Sequence, residues 1–348
     1  MGRLKRLRNL MHMLKDKASL IKATLSIKRG AGSSINVAVL RATTHDSSRP
    51  PSEKRVAGVL SLGDGSRLTA SLCIEAIMDR LHDTRGAAVA IKCLFTTHSI
   101  IRRGSFILQD QLSFYPSSGG RNFLNLSTFR DDSDVDMWEL SCWVRWYAGF
   151  LEQNLMVSKV LGHYLCSSPR ANNKEDKEDT ALTFSNSDLS RELDVLVDFA
   201  EQIGEAPESL HLQRNDLVYE VVRMVSEDYR LAQSEIFLRV VELGNRVENL
   251  SYDEMTHVLK ALKRFEDCKE RLLLLFANRK KNDGLWDLIS ETKVKLLAMI
   301  QKIDEMRLVM VRMGRRDDAG SASTLFRNTF SQSGKLFGSD LVLVHGWA

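Results

Sequence analysis

The chain has 348 residues, of which 27% are charged and 43% hydrophobic, and it contains five prolines, none of them after Pro207. Because proline interrupts helices and builds turns, this composition predicts a mostly helical chain and argues against a β-rich secreted module, collagen or a low-complexity protein. The net charge of +4 is uneven: residues 1–30 hold nine Lys or Arg and one acid, Asp16, which gives +8 there and leaves −4 for the rest. The basic character is therefore local to one end.

The first element is a predicted basic amphipathic helix over residues 3–28, followed by a break at residues 30–34. Its apolar residues recur at spacings of three and four, which places them on one stripe: Leu4, Leu7, Met11, Leu14, Ala18, Ile21 and Leu25. An apolar stripe with basic flanks is typical of a helix that lies on an anionic leaflet. The candidate membrane contacts are Arg3, Lys5, Arg6, Arg8, Lys15 and Lys22. A helix packed into the protein body and a mitochondrial transit peptide are the alternatives.

Short amphipathic helices fill the next part of the chain, with Gly, Ser, Pro and Asp marking the connections. They are predicted at residues 35–45, 52–60, 68–81, 87–102, 106–114 and 135–165. In the last of these, an aromatic set is predicted to lie in the core, because most of its members share one face. The set comprises Trp138, Trp143, Trp146, Tyr147, Phe150 and Leu151.

Residues 167–187 are rich in Ser, Asn, Lys, Glu and Asp, which predicts a flexible linker. Longer helices follow at residues 188–203, 212–247, 252–281 and 284–313, and a short flexible tail at 314–348. The pattern predicts an all-α fold, an irregular α-solenoid or superhelix of about nine to eleven helices with the long ones in the C-terminal half. The predicted regions are 1–30, 31–166, 167–187, 188–313 and 314–348.

The sequence carries no recognised catalytic or metal-binding motif. It has no phosphate-binding glycine loop, no HExxH and no CxxC, and no apolar run approaches the ~18 residues that cross a membrane. Asp132, Asp134 and Asp136 lack the glycine and glutamate of a calcium loop, so they are read as acids at a helix N-terminus. The histidines His45 and His98 have no companion residues. We therefore expect no enzyme activity, no cofactor and no metal, and reduced core cysteines.

Three segments together resemble the ANTH domain, the N-terminal domain of clathrin assembly proteins, in the short-tailed form found in plants. The first is residues 41–45 (RATTH) with 50–55 (PPSEKR), and the second is residues 84–102. The third and most specific is residues 129–152, with its Trp-rich run WELSCWVRWYAGFLE. The resemblance covers about residues 20–310 and implies an ENTH/ANTH-like fold, with residues 31–166 as the ENTH-like half and 188–313 as the long-helix half.

The resemblance also implies a phosphatidylinositol 4,5-bisphosphate site. Arg41 stands in place of the family's first lysine, Lys54 in place of a later basic residue, and Arg55 in place of the final histidine, whereas Ser52 replaces a lysine. Arg49 is a further candidate. Such a headgroup requires several converging Lys and Arg side chains, and the Pro50-Pro51 break is a place where the chain can bring them together. A solvated basic helix face is the alternative reading.

The resemblance finally implies a peripheral adaptor that assembles clathrin coats and recruits cargo in endocytosis and vesicle budding. The implied partners are bisphosphoinositide membranes, clathrin and adaptor complexes, and synaptobrevin-type SNAREs. Residues 341–344 (LVLV) offer one degenerate clathrin-type motif in the tail. The implied location is the cytosolic face of coated pits, coated vesicles and other cytoplasmic vesicles, including those of the Golgi and endosomes. The alternative is a helical scaffold that binds nucleic acid or another anion through its basic N-terminus. Because the rest of the chain carries a net negative charge, we expect no nucleic-acid partner.

Overall fold

The computed structural model of the chain describes residues 2–25, 31–116, 123–167, 184–208, 215–276 and 283–318. The described residues are predominantly α-helical, as the sequence predicts. The helices are α1 (Gly2–Leu25), α2 (Ala31–Ala42), α3 (Glu53–Gly63), α4 (Arg67–Asp83), α5 (Ala87–Arg103), α6 (Phe106–Ser113), α7 (Val135–Leu161), α8 (Asn186–Gly204), α9 (Asp216–Asn245), α10 (Tyr252–Asp267), α11 (Lys269–Leu275) and α12 (Asp283–Asp318). None of these helices is long and apolar enough to cross a membrane.

Helix α5 is the most deeply buried element among the earlier helices. All of its residues from 87 to 101 are buried, and it contacts α2, α3, α4, α6 and α7. A helix that is buried all round has to be surrounded by neighbours, and its polar side chains need partners inside the protein. The buried polar residues of α5 are Lys92, Thr96, Thr97, His98 and Ser99, and the lysine among them is only 1% exposed.

Helix α7 carries the aromatic core and packs against both α5 and α8. Trp143, Tyr147 and Phe150 are fully buried, which confirms most of the predicted aromatic set. Trp138 is a correction, because it is 49% exposed near the start of the helix, one residue off the buried stripe. The helix ends at Leu161, before its predicted end, because Gly162 adopts the left-handed conformation (φ 76°) that glycine tolerates best.

Helix α8 packs against α7, α9, α10 and α11. Arg264 on α10 donates to Asp194 at 2.8 Å and pairs with Asp198 and Glu201, all on α8. The predicted helix over residues 252–281 is divided in the structure, because α10 ends at Asp267 and α11 begins at Lys269. Helix boundaries of this kind are set by packing rather than by periodicity alone.

Two other boundaries differ from the predictions. Helix α2 begins at Ala31, inside the glycine-serine segment predicted as a break, and α12 continues to Asp318 rather than ending near residue 313. The chain divides into two compact units, residues 1–300 and 301–348. The predicted linker lies largely outside the described residues, at 168–183, as does the tail from residue 319 onward.

The acidic segment before α7 has a structural role. The Asp134 carboxylate accepts the Met137 N–H at 2.9 Å as the N-cap of α7, and Asp131 accepts the Ala87 N–H at 2.8 Å at the start of α5. Capping of this kind satisfies backbone N–H groups at a helix start. No group of three metal-type ligands occurs in the described ranges. Cys73, Cys93 and Cys268 are buried thiols, and Cys142 and Cys166 are half-buried.

Candidate anion-binding site

The α2–α3 loop, residues 43–52, and the helix ends beside it carry the four predicted headgroup residues. Arg41 lies in the last turn of α2, Arg49 in the loop, and Lys54 and Arg55 in the first turn of α3. All four side chains are exposed. None of them forms a salt bridge with another described residue, so their charges are available to an external anion.

The start of α3 departs from the usual pattern of a helix N-terminus. The N-cap Ser52 makes no side-chain cap hydrogen bond, and the acid of the first turn, Glu53, pairs with Arg103 of α5. Lys54 and Arg55 place two cations where the helix dipole already presents positive charge. This arrangement is unfavourable for the isolated helix. It becomes favourable when an anion binds, since the unpaired N–H groups and the two cations then act together.

The interior side of the α2–α3 loop is held by Lys92. Its Nζ donates to the Thr44 Oγ1 at 3.0 Å. Burial lowers the pKa of Lys92 to about 8, although Asp46 and Asp16 oppose that shift and Arg55 adds to it. Asp46 in turn interacts electrostatically with Lys92 and Arg49. These interactions place Arg49, Arg55 and Lys92 within one electrostatic neighbourhood. The structure gives no comparable link from that neighbourhood to Arg41 or Lys54.

The α1 side of the loop is held by Asp16. The Asp16 Oδ1 lies 2.6 Å from the His45 Nδ1, and the Asp16 Oδ2 accepts the His45 backbone N–H at 3.1 Å. Burial alone raises the pKa of Asp16, but the two hydrogen bonds from His45 outweigh it and hold that pKa below its ordinary value. The one acid of the basic N-terminal segment thus serves as a contact to the loop.

Helix α1 presents two different faces. Asp16, Ser19, Leu20 and Ala23 are half-buried, at the helical spacing that puts them on one side, and α1 contacts α2. The described part of the predicted apolar stripe is exposed instead: Met11 57%, Leu14 58% and Ile21 57%. The described part of the stripe is therefore open to solvent, while the helix contacts α2 through its other side.

The predicted basic contacts on α1 are only partly described. Lys15 and Lys22 are exposed. The other four belong to the same helix, but their side chains lie outside the described residues: Arg3, Lys5, Arg6 and Arg8.

The second histidine singled out by the sequence, His98, belongs to a buried polar network that joins α5, α7 and α9. Its Nδ1 lies 2.8 Å from the Tyr147 hydroxyl and its Nε2 lies 2.8 Å from the Asp228 Oδ2. Asp228 also accepts from Arg102 at 2.6 Å and from Asn154 at 2.8 Å. We call these five residues the His98 network. It has no opening to solvent at its histidine, which is fully buried.

Sequence reasoning missed Lys92, Thr44 and the Asp16–His45 contact. Two signals were available. A lysine within a long apolar helix is rarely buried without a reason, and a lone acid within a strongly basic segment stands out in the same way. Neither signal names the partner, because the partners lie 48 and 29 residues away in the sequence.

Comparison with known proteins agrees with this architecture. The ANTH domain family model matches residues 34–283. The chain is 42% identical to "Putative clathrin assembly protein At4g40080" of Arabidopsis thaliana over 91% of this chain and 88% of that protein. It is 31% identical to "Putative clathrin assembly protein At5g10410" of the same plant, over 81% of this chain and 83% of that protein. The chain therefore belongs to the ANTH-domain family of clathrin assembly proteins.

Proposed function

We propose that this protein is a peripheral membrane adaptor without catalytic activity, which binds phosphatidylinositol 4,5-bisphosphate and assists clathrin coat assembly in endocytosis and vesicle budding. The observation that carries the lipid proposal is the set of exposed cations without salt bridges at the α2–α3 loop: Arg41, Arg49, Lys54 and Arg55. The names of its relatives support the coat-assembly role.

The chemistry of the loop suits a multivalent phosphate headgroup. Exposed Arg and Lys side chains donate charge-assisted hydrogen bonds to phosphate oxygens, and these are stronger than bonds between neutral groups. The start of α3, which has no side-chain cap, adds a helix N-terminus that favours an anion. Of the four cations, Arg49 and Arg55 share one electrostatic neighbourhood with Lys92.

Helix α1 adds a second membrane contact in this proposal. Its exposed apolar residues enter the interface between headgroups and acyl chains, while Lys15, Lys22 and the earlier basic residues meet anionic lipids. Each basic residue near an anionic surface contributes about 1 kcal/mol. The helix therefore supplies general affinity for anionic leaflets, and the α2–α3 loop supplies the headgroup preference.

Vesicle co-sedimentation tests the lipid proposal. The full chain is compared with Arg41→Glu/Lys54→Glu/Arg55→Glu on phosphatidylcholine vesicles with and without the bisphosphoinositide. The matched control is Arg230→Glu/Lys260→Glu/Lys263→Glu, which changes the net charge equally at exposed cations of α9 and α10. We expect the first variant to lose the inositide-dependent pelleting and the control to keep it. Equal pelleting of wild type and the first variant would refute the site.

The coat partners are a separate part of the proposal. The tail motif at residues 341–344 is a single copy, and short motifs of this kind bind weakly unless they are multiplied. Pull-down by the clathrin terminal domain compares the full chain with a variant in which residues 341–344 are replaced by alanine. The difference measures the contribution of this motif to clathrin binding. No difference between the two proteins at tens of micromolar would exclude direct binding through this motif.

Cargo and location complete the proposal. Family resemblance supports synaptobrevin-type SNARE cargo on the later helices, and location on the cytosolic face of coated pits and vesicles, including Golgi and endosomal vesicles. Binding of a synaptobrevin-type cytosolic segment to the full chain is the direct measurement, and absence of binding at tens of micromolar would remove SNAREs from the proposal.

Limited proteolysis tests the proposed linker at residues 167–187, where we expect the first cleavage.

A further inference from the structure

We propose that Asp16 is a positioning residue that couples α1 to the α2–α3 loop, so that the basic helix and the four exposed cations meet the same leaflet as one unit. This inference rests on the proposed function and concerns how the two proposed membrane contacts are positioned relative to each other. Its starting observation is that the single acid among residues 1–30 points to the protein body rather than away from it.

The geometry of the contact is specific. Each carboxylate oxygen of Asp16 has its own donor, the His45 ring nitrogen Nδ1 at 2.6 Å and the His45 backbone N–H at 3.1 Å. Because a carboxylate only accepts, the Nδ1 carries the proton in this contact. The two side chains are 18% and 19% exposed, so solvent and salt screen them less than an open surface pair.

The loop has a separate attachment on its other side. Lys92 of α5 donates to Thr44, and Arg80 of α4 lies 3.4 Å from the Thr43 carbonyl oxygen. Thr44 and His45 are neighbours in the chain, so the loop is held from α5 by one residue and from α1 by the next. Loss of Asp16 therefore removes these two hydrogen bonds between α1 and the loop, while the packing of α1 on α2 and the loop's attachments to α4 and α5 remain.

Coupling follows from this arrangement. Two membrane contacts in one chain bind better together than separately, and a fixed relative orientation strengthens this further because less freedom is lost when both contacts form. If charge alone mattered, removal of Asp16 would increase membrane affinity, since an acid on a basic helix opposes attraction to anionic lipid. The two explanations predict effects of opposite sign when Asp16 is removed.

The test uses the full chain with Asp16→Ala. Dissociation constants are measured on two sets of vesicles of equal total charge, one with phosphatidylserine alone and one with the bisphosphoinositide replacing part of it. We expect the preference of wild type for the inositide to fall several-fold in the variant, while affinity for phosphatidylserine is unchanged or higher. Hydrogen exchange of the His45 amide is expected to accelerate in the same variant, since that amide loses its acceptor.

Two further variants keep the test decisive. Asp64→Ala removes an exposed acid at the end of α3 and makes the same charge change without touching the loop, so its inositide preference stays that of wild type. His45→Ala removes the ring contact with no change in formal charge, and we expect a smaller fall in preference. An undiminished preference in Asp16→Ala overturns the coupling while the proposed function stands. Absence of any inositide preference in wild type is the distinct result that overturns the proposed function.

Discussion

The α2–α3 loop and the His98 network use the same kinds of charged residues in opposite ways. In the network, Asp228 is 1% exposed and is bonded to three partners, His98, Arg102 and Asn154. At the loop, Arg41, Arg49, Lys54 and Arg55 are exposed and form no salt bridge with described residues. The network satisfies the buried Asp228 carboxylate within the protein, whereas the cations of the loop are exposed to a partner from outside.

Structural and functional charges differ in burial and in internal partners. A buried charge is tolerated only when it is paired and hydrogen-bonded, so substitution there acts on folding. An exposed cluster of like charge costs some stability through repulsion and makes no internal contact, so substitution there acts on binding. The variants below test whether the two regions respond in these two ways.

The largest effect is expected from Asp228→Ala in the His98 network. Removal of this carboxylate leaves the buried His98 and Asn154 side chains without their Asp228 partner, whereas Arg102 keeps Glu227 at 2.7 Å. A buried polar group left without its partner costs about 1–3 kcal/mol, so we expect a loss of about 2–5 kcal/mol in the free energy of unfolding. Urea unfolding followed by circular dichroism measures the loss, with Asp64→Ala as the exposed control. A loss below about 1 kcal/mol contradicts the structural role of the network.

A smaller effect of opposite sign is expected from Lys92→Met beneath the α2–α3 loop. Burial lowers the pKa of Lys92 to about 8 from its ordinary 10.5, so the folded state disfavours the charged form. Below pH 8 the lysine is protonated in both states and the burial penalty is fully present. Replacement by Met is therefore expected to raise the free energy of unfolding by about 2 kcal/mol at pH 7, after allowing for the lost Thr44 bond.

The pH dependence of that variant supplies its check. As the pH rises from 8 to 10.5, the folded protein loses the Lys92 proton before the unfolded chain does, so wild type gains stability through this window. The difference between Lys92→Met and wild type should shrink accordingly. A difference that stays constant across the window would show that the burial penalty of Lys92 is absent.

The smallest effect is a gain of function at the exposed loop. Ser52→Lys adds a fifth cation at the start of α3, and it sacrifices no cap because the Ser52 side chain makes no cap hydrogen bond. One more basic residue at an anionic surface contributes about 1 kcal/mol, which is about fivefold in affinity for inositide vesicles. Ser71→Lys on α4 is the charge-matched control. Equal gains in both variants would indicate general charge rather than a headgroup site.

The sequence predicted most helices because apolar periodicity and capping residues are local properties. Residues 87–102 and 135–165 are examples, and the structure places helices α5 and α7 there. The failures arise where tertiary packing decides. The chain enters α2 within a glycine-serine segment, and it breaks a long periodic pattern between Asp267 and Lys269.

The candidate site was predictable only in part for the same physical reason. The motif that points to Arg41, Lys54 and Arg55 consists of residues that stand close together in the chain. Their assignment to a headgroup site is a proposal. Lys92 and Asp16 act through contacts with Thr44 and His45 that span 48 and 29 residues. Periodicity carries no information about such distant pairs, because they depend on how whole helices are arranged.

Titration of the full chain with soluble inositol 1,4,5-trisphosphate, followed by calorimetry, tests the central claim most directly, because it removes the leaflet and the contribution of α1. We expect saturable binding in wild type. We expect the same binding in Arg230→Ala/Lys260→Ala/Lys263→Ala, and loss of binding in Arg41→Ala/Lys54→Ala/Arg55→Ala. Equal binding by the two triple variants would contradict the assignment of the headgroup site to the α2–α3 loop.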